Sequence, residues 1–193
     1  MSEARRLLVA DLGRRPYGEV LELQRRRCRD RQAGATTEDR LLLVEHDPVV
    51  TLGRGTRETS LPLSPEQIRA RGVEVFDVER GGDVTFHGPG QLVGYPILDL
   101  SHHRQDLHWY LRTVEEALIV ALGTLGISAG RSAGQTGVWT QGRKIASIGI
   151  HVKQWVTFHG FALNVSTELD YFDLIVPCGI SEARFGVTSH YLV

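Results

Sequence analysis

Apolar residues along this chain fall into short runs separated by Gly, Pro and polar clusters, and the spacing within each run predicts its element. RRLLVADLG near the N-terminus reads as a strand, and Pro16 marks the entry to a helix over about 17–31. DRLLLVEH (Asp39–His46) is a continuous apolar strand, VVTLG (49–53) follows Asp47-Pro48, and Gly53-Arg54-Gly55 closes it as a loop. SPEQIRARG predicts a short helix with Ser64 as N-cap, Pro65 at the first helical position and Gly72 as its stop. VEVFDVER (73–80) alternates as a strand does, and 91–100 is apolar enough for a buried strand.

The clearest helix spans about 106–125, where Leu107, Leu111, Val114, Leu118, Ala121, Leu122 and Leu125 recur at helical spacing and define one buried face. GVWTQ and KIASIGIHVK follow, joined by Gly142-Arg143 as a hairpin turn, and FHGFALNV and YFDLIV read as two further strands. Helices separated by runs of strands, with no repeated βαβ pattern, predict an α+β fold with one sheet or two. Neither an internal repeat nor a linker interrupts the 193 residues, so a single domain over 1–193 is expected.

Composition narrows the partners. Hydrophobic residues make up 41% and charged residues 23%, as in an ordinary globular protein, and the net charge of −1 gives no general attraction to nucleic acid or an anionic membrane. No apolar run is long enough to span a bilayer, and MSEARRLLVADLG lacks the apolar core and cleavage site of a signal peptide. A reducing cytoplasm is therefore expected, with Cys28 and Cys178 as free thiols.

Four features carry candidate chemistry. RGGDVTFHGPGQ (80–91) is nearly bare backbone around His87, which suits a tight turn or close approach to a ligand. Cys178 in DLIVPCGI ends an apolar run next to Gly179, where backbone N–H groups could face an oxyanion, although burial in a core is the ordinary fate of a free cysteine. Cys28, among the arginines of RRRCRDR, reads as a half-exposed helix residue whose pKa those charges lower. Lys144 begins a strand beside the small residues Ala146, Ser147 and Gly149; taken alone it reads as a solvated hairpin lysine. His87 and His159 each precede a glycine, while no histidine pair or cysteine cluster has metal-ligand spacing. GxxxxGK[ST] is absent, so no nucleotide cofactor is expected.

Together, LLLVEHDPVVTLGRG, RGGDVTFHGPGQLVGYPILDL, GRKIASIGIHV and FHGFALNV followed by FDLIVPCGI resemble, in order, the motifs of the octanoyltransferases of lipoate biosynthesis. The resemblance covers nearly the whole chain; the family is expected to continue beyond VTSHYLV, so a C-terminal segment is expected to be lacking. It implies a mixed β-sheet flanked by helices, similar to the catalytic domain of biotin and lipoate protein ligases. It also implies transfer of an octanoyl group from octanoyl-acyl-carrier protein to a lysine on lipoyl domains of 2-oxo acid dehydrogenase complexes and on the glycine cleavage H protein. Position by position, Cys178 matches the acyl-thioester nucleophile and Lys144 the residue that lowers its pKa, with a further role as base. Arg80, Gly81, Gly82, Asp83, Val84, Thr85, Phe86 and His87 match substrate-binding positions, as do Ser147, Ile148 and Gly149, and Gly160, Phe161 and Ala162.

Exchange of one thioester for another is nearly isoenergetic and aminolysis to an amide is downhill, so this chemistry needs neither ATP nor another cofactor. Competing readings are an ATP-dependent lipoate or biotin ligase, a cysteine hydrolase, and a non-catalytic module that binds lipoyl domains or a carrier protein.

Overall fold

The computed structural model describes residues 6–176 and 185–191. Its main sheet has seven strands in the order β1-β2-β6-β10-β9-β8-β7. These are β1 (Leu7–Arg15), β2 (Asp39–His46), β6 (Gln91–Ile97), β7 (Gly130–Ser132), β8 (Gln135–Thr140), β9 (Arg143–Lys153) and β10 (Val156–Asn164). β1 runs parallel to β2, and every other neighbouring pair is antiparallel. A second sheet places β3 (Val49–Leu52) between β4 (Glu74–Asp77), which is parallel to it, and β5 (Thr85–His87), which is antiparallel. The α+β class is thus observed with two mixed sheets.

Two helices cover the main sheet. Val20 and Cys28 of α1 (Tyr17–Gln32) pack with Leu42, Val44, Val93, Tyr95, Ile97, Phe158 and Ala162. Tyr110, Val114, Leu118 and Leu122 of α3 (Leu107–Thr124) pack with Val138, Ile145 and Ala146, and with Phe161 and Leu163 beside them. Ala162 faces α1 while its neighbours Phe161 and Leu163 face α3, as the period of two in a strand requires, so the helices lie on opposite faces. Ser64 caps α2 (Pro65–Arg69) through a capping box with Gln67, as the sequence predicts. Among the described residues, no helix is long and apolar enough to cross a membrane.

Several expectations are corrected. Cys28 is buried at 4% exposure in the α1 core, and burial pushes its thiol pKa up against the lowering by Lys153 and Arg29. Leu107, Ala121 and Leu125 of the long helix are exposed; Ile127, beyond the turn at Gly126, takes the buried position after Leu122, and Tyr110 and Glu115 complete the inner face. The hairpin turn between β8 and β9 is Gln141-Gly142, one residue earlier than expected. YFDLIV is no strand: Leu169–Leu174 forms a 3-10 helix. Leu169, Tyr171, Phe172, Leu174 and Ile175 all reach one apolar cluster, which a strand, turning alternate residues to opposite faces, cannot arrange.

Candidate functional site

The stretch 80–91 is held rather than loose. Arg80, 7% exposed, donates Nε to Thr51 Oγ1 at 3.2 Å and one terminal nitrogen to the Thr51 carbonyl at 2.7 Å, which ties it to β3. Its other terminal nitrogen reaches the carbonyls of Gly81 and Asp83 at 3.1 and 2.6 Å. From the other side, the Gly81 N–H donates to the Ile150 carbonyl of β9 at 2.8 Å. A buried guanidinium held by three carbonyls and the Thr51 hydroxyl fixes the loop's shape, because each of its N–H groups needs a partner out of water.

This loop forms one wall of a cavity of about 440 Å³, within the range of small-molecule sites. Val84, Val93, Leu111, Ile148, Ile150, Phe161 and Ala162 give it an apolar lining suited to an alkyl chain. Polar groups converge on it from Tyr17, Arg80, Asp83, His87, Tyr95, Lys144, Ser147 and His159. The structure brings Lys144 together with all the expected substrate-binding positions except Phe86. Phe86 is fully buried on the far side of β5, its ring stacked on Tyr171 at 4.6 Å and edge-on to Phe172 at 5.7 Å. Alternation along β5 explains the difference, since Thr85 and His87 face the cavity and the residue between them cannot.

Lys144 is not the solvated hairpin lysine its local sequence suggests. It is 5% exposed, and its Nζ lies over the Trp139 ring, 5.7 Å from the centroid. Gly137 makes the slot: a Cβ there would sit 2.7 Å from Lys144 Cε and 2.5 Å from the Ala146 carbonyl. The hairpin is fixed from behind by buried Glu115, which accepts the Gly137 N–H at 3.0 Å and is paired with Arg112 and Arg131.

Cys178 lies outside the described residues, which resume at Phe185. The two described flanks of that segment are both tied to the cavity wall. On one side the Val176 N–H donates to the Ser60 carbonyl at 2.9 Å, and the Ser60 hydroxyl donates to the Asp83 carboxylate at 2.7 Å. On the other side Phe185 pairs with Lys144, and the Gly186 N–H donates to the Lys144 carbonyl at 3.0 Å.

Gly160 changes how the glycines are read. A Cβ at this position would lie 2.2 Å from the Gly94 carbonyl and 2.5 Å from Pro96 Cδ, so Gly160 serves the approach of β6 to β10 as well as lining the cavity. Tyr17, Tyr95, Leu111 and Trp139 escape sequence reasoning, because they reach the cavity from four separate elements and no local pattern marks them. His159 carried one signal, the FHG tripeptide it shares with His87.

The two cavity histidines are held neutral. Burial, with His46 and Arg80 nearby, lowers the pKa of His87 to about 3; burial lowers that of His159 to about 4, Glu79 raising it and Arg80 lowering it. An unfolded histidine takes up its proton near pH 6.5. Between that value and about 4 the unfolded chain binds the more protons, so stability is full above this range and is lost as pH falls through it. Urea midpoints are expected to be level above pH 7 and to fall between pH 6.5 and 4 with a net uptake of protons on unfolding, to which His46 and His151, also held below the ordinary histidine value by burial, add. A level midpoint down to pH 4 would contradict the burial of both rings.

Comparison with known proteins places this geometry. Residues 16–191 match the model of the lipoyl protein ligase A/B catalytic domain. An octanoyltransferase of Gloeobacter violaceus is 52% identical over 176 residues, covering 91% of this chain and 77% of that protein. One from Solibacter usitatus is 50% identical over 178 residues, covering 92% and 80%. Among solved structures, an archaeal bipartite lipoate protein ligase with its E2 lipoyl domain from Thermoplasma acidophilum superposes with a TM-score of 0.74 at 18% identity, over 98% of this chain and 76% of that one. A lipoate-protein ligase A bound with ATP gives 0.72 at 16% identity, over 97% and 77%. The structural likenesses share the fold.

Proposed function

The chain belongs to the lipoyl protein ligase A/B catalytic-domain family and is an acyltransferase of the octanoyltransferase kind, and from that premise we propose a two-step route through Cys178. In the first step the Cys178 thiolate attacks the thioester of octanoyl-acyl-carrier protein; the octanoyl carbon–sulfur bond to the carrier breaks, a new one forms to Cys178, and the carrier leaves as thiolate, which takes up the proton that the Cys178 thiol had given up. In the second, a lysine amine of a lipoyl domain attacks the acyl-enzyme, the amide forms, and Cys178 is released. The acceptors are lipoyl domains of 2-oxo acid dehydrogenase complexes and the glycine cleavage H protein.

One observation carries this reading: of the two described flanks of the segment holding Cys178, one is paired with buried Lys144 in the cavity wall, and the other is hydrogen-bonded to Ser60, whose hydroxyl donates to Asp83 of that wall. A cation beside a thiol favours the thiolate, which is the nucleophile. The lining of Val84, Leu111, Ile148 and Phe161 suits an eight-carbon chain, and the backbone of 80–85 suits the thioester carbonyl.

A ligase of the same fold would activate the free acid with ATP, and one assay separates the two. With a lipoyl domain as acceptor, octanoyl transfer from the carrier protein is expected without ATP, and octanoate with ATP is expected to give neither pyrophosphate nor product. Pyrophosphate release dependent on octanoate would assign the chain to the ligases.

A further inference from the structure

Behind the cavity, one buried amide pair joins the Gly-rich stretch to the lysine strand. His87 Nδ1 lies 2.7 Å from Gln91 Oε1. Gln91 Nε2 donates to the Phe86 carbonyl at 3.2 Å and to Asn164 Oδ1 at 2.9 Å. Asn164 Nδ2 donates to the Gly186 carbonyl at 3.2 Å, and the Gly186 N–H donates to the Lys144 carbonyl at 3.0 Å. Gln91 is 2% exposed, Asn164 3% and His87 7%, so water cannot substitute for a missing partner.

The direction of every bond in this chain follows from its ends. The carbonyls of Phe86 and Gly186 can only accept, so both amides must turn their NH₂ groups toward them. That leaves Asn164 Oδ1 to receive Gln91, and Gln91 Oε1 to receive His87. A hydrogen must therefore sit on His87 Nδ1, and Nε2 carries the lone pair. Among the described residues Nε2 has no hydrogen-bond partner, and His87 lines the cavity. Burial keeps this ring from taking a proton in the neutral range, with His46, Tyr17, Arg80 and His159 around it. Arg80 and Lys144, the cations of the same wall, can only donate while charged.

We propose that Gln91 and Asn164 are positioning residues for acyl transfer: they fix His87 as a hydrogen-bond acceptor at Nε2 for the N–H of the attacking amine, and through Gly186 they hold the Lys144 strand in register with that site. This rests on the thioester route given above. The acceptor lysine arrives as the free amine after its ammonium proton has gone to a base. Its nitrogen then bonds the thioester carbon, the carbon–sulfur bond breaks, and the proton that the amine gives up ends on the Cys178 sulfur. His87 keeps no proton; it aligns the nitrogen lone pair with the carbonyl.

Long-range ¹H–¹⁵N spectra of the native protein labelled at histidine, with His87→Gln to assign the ring, test the tautomer without relying on a variant's fold. The expected spectrum shows a protonated Nδ1 and a bare Nε2, unchanged from pH 5 to 9; a proton on Nε2 overturns the proposal. Gln91→Glu tests the function, since a carboxylate at Nδ1 favours the imidazolium and converts Nε2 into a donor. In single-turnover experiments, transfer from the loaded variant to a lipoyl domain is expected to fall about ten- to a hundredfold. His87→Gln, whose Oε1 takes the place of Nε2, is expected to recover more of that step than His87→Asn. A loaded Gln91→Glu enzyme that transfers at the native rate with Nε2 protonated overturns the inference alone. Native enzyme that never loads overturns the thioester reading beneath it.

Discussion

Lys144→Met is expected to reduce octanoyl transfer by about a hundred- to ten-thousandfold, the range in which positioned acid–base groups act. Methionine has nearly the same length and fills the slot over Trp139 with little change of volume, so the chain should still fold. What the substitution removes is the cation and the titratable nitrogen. On the proposed route the Cys178 thiol then returns toward the ordinary cysteine value of roughly 8.5, and the thiolate fraction at neutral pH falls. The pH dependence of Cys178 alkylation, measured in a Cys28→Ala background, is expected to shift upward in the variant. Native transfer by Lys144→Met, with an unmoved alkylation profile, would remove Lys144 from the chemistry.

The second large effect is expected from Gly137→Ala. The added methyl would stand 2.5 Å from the Ala146 carbonyl and 2.7 Å from Lys144 Cε, at a backbone φ of +133° that side chains rarely adopt. The strand cannot retreat, because Glu115 holds the Gly137 N–H and is itself held by Arg112 and Arg131. We expect a loss of about 2–4 kcal/mol, combining backbone strain with overpacking. That corresponds to a fall in Tm of roughly 5–15 °C for a chain of this size. Transfer should drop at least about tenfold in the fraction that folds, since Lys144 is displaced and a small misplacement is costly in catalysis. Gly130→Ala is the control: its Cβ meets nothing within 4 Å, and thermal scans should show it close to native. Equal losses at the two glycines would mean that the Lys144 slot has no special role.

How far the sequence reaches depends on whether a feature is local. The hairpin of β8 and β9 and the helix over Leu107–Thr124 are visible because their turn and period lie in consecutive residues. The second sheet is legible only in part: β3 and β4 fall within predicted strands, but β5 is three residues inside a Gly-rich stretch and β3 pairs in parallel with a strand more than twenty residues away. The 3-10 helix at Leu169–Leu174 carries the composition of a strand, and only its packing on Phe86 and Phe185 distinguishes it. Cys28 is similar: its arginine neighbours suggest exposure, and the contact of α1 with the sheet buries it.

The site divides along the same line. The stretch 80–87 stands out by its glycines, Ser147, Ile148 and Gly149 are marked by the family resemblance, and all but Phe86 reach the cavity. The resemblance makes Gly160 a substrate-binding position, yet it also makes room for the Gly94 carbonyl, and Gly137, which no local pattern marks, makes room for the Lys144 side chain. The burial of Lys144 was likewise illegible, because nothing within its own strand announces that Trp139 and Phe185 will cover it.

The most direct measurement is the intact mass of the protein after brief incubation with octanoyl-acyl-carrier protein, with the acceptor withheld. The account predicts one added octanoyl group, labile to hydroxylamine, discharged by a lipoyl domain and absent from Cys178→Ala. An unmodified mass for enzyme that transfers octanoyl once a lipoyl domain is supplied, or an adduct that persists in Cys178→Ala, would contradict it.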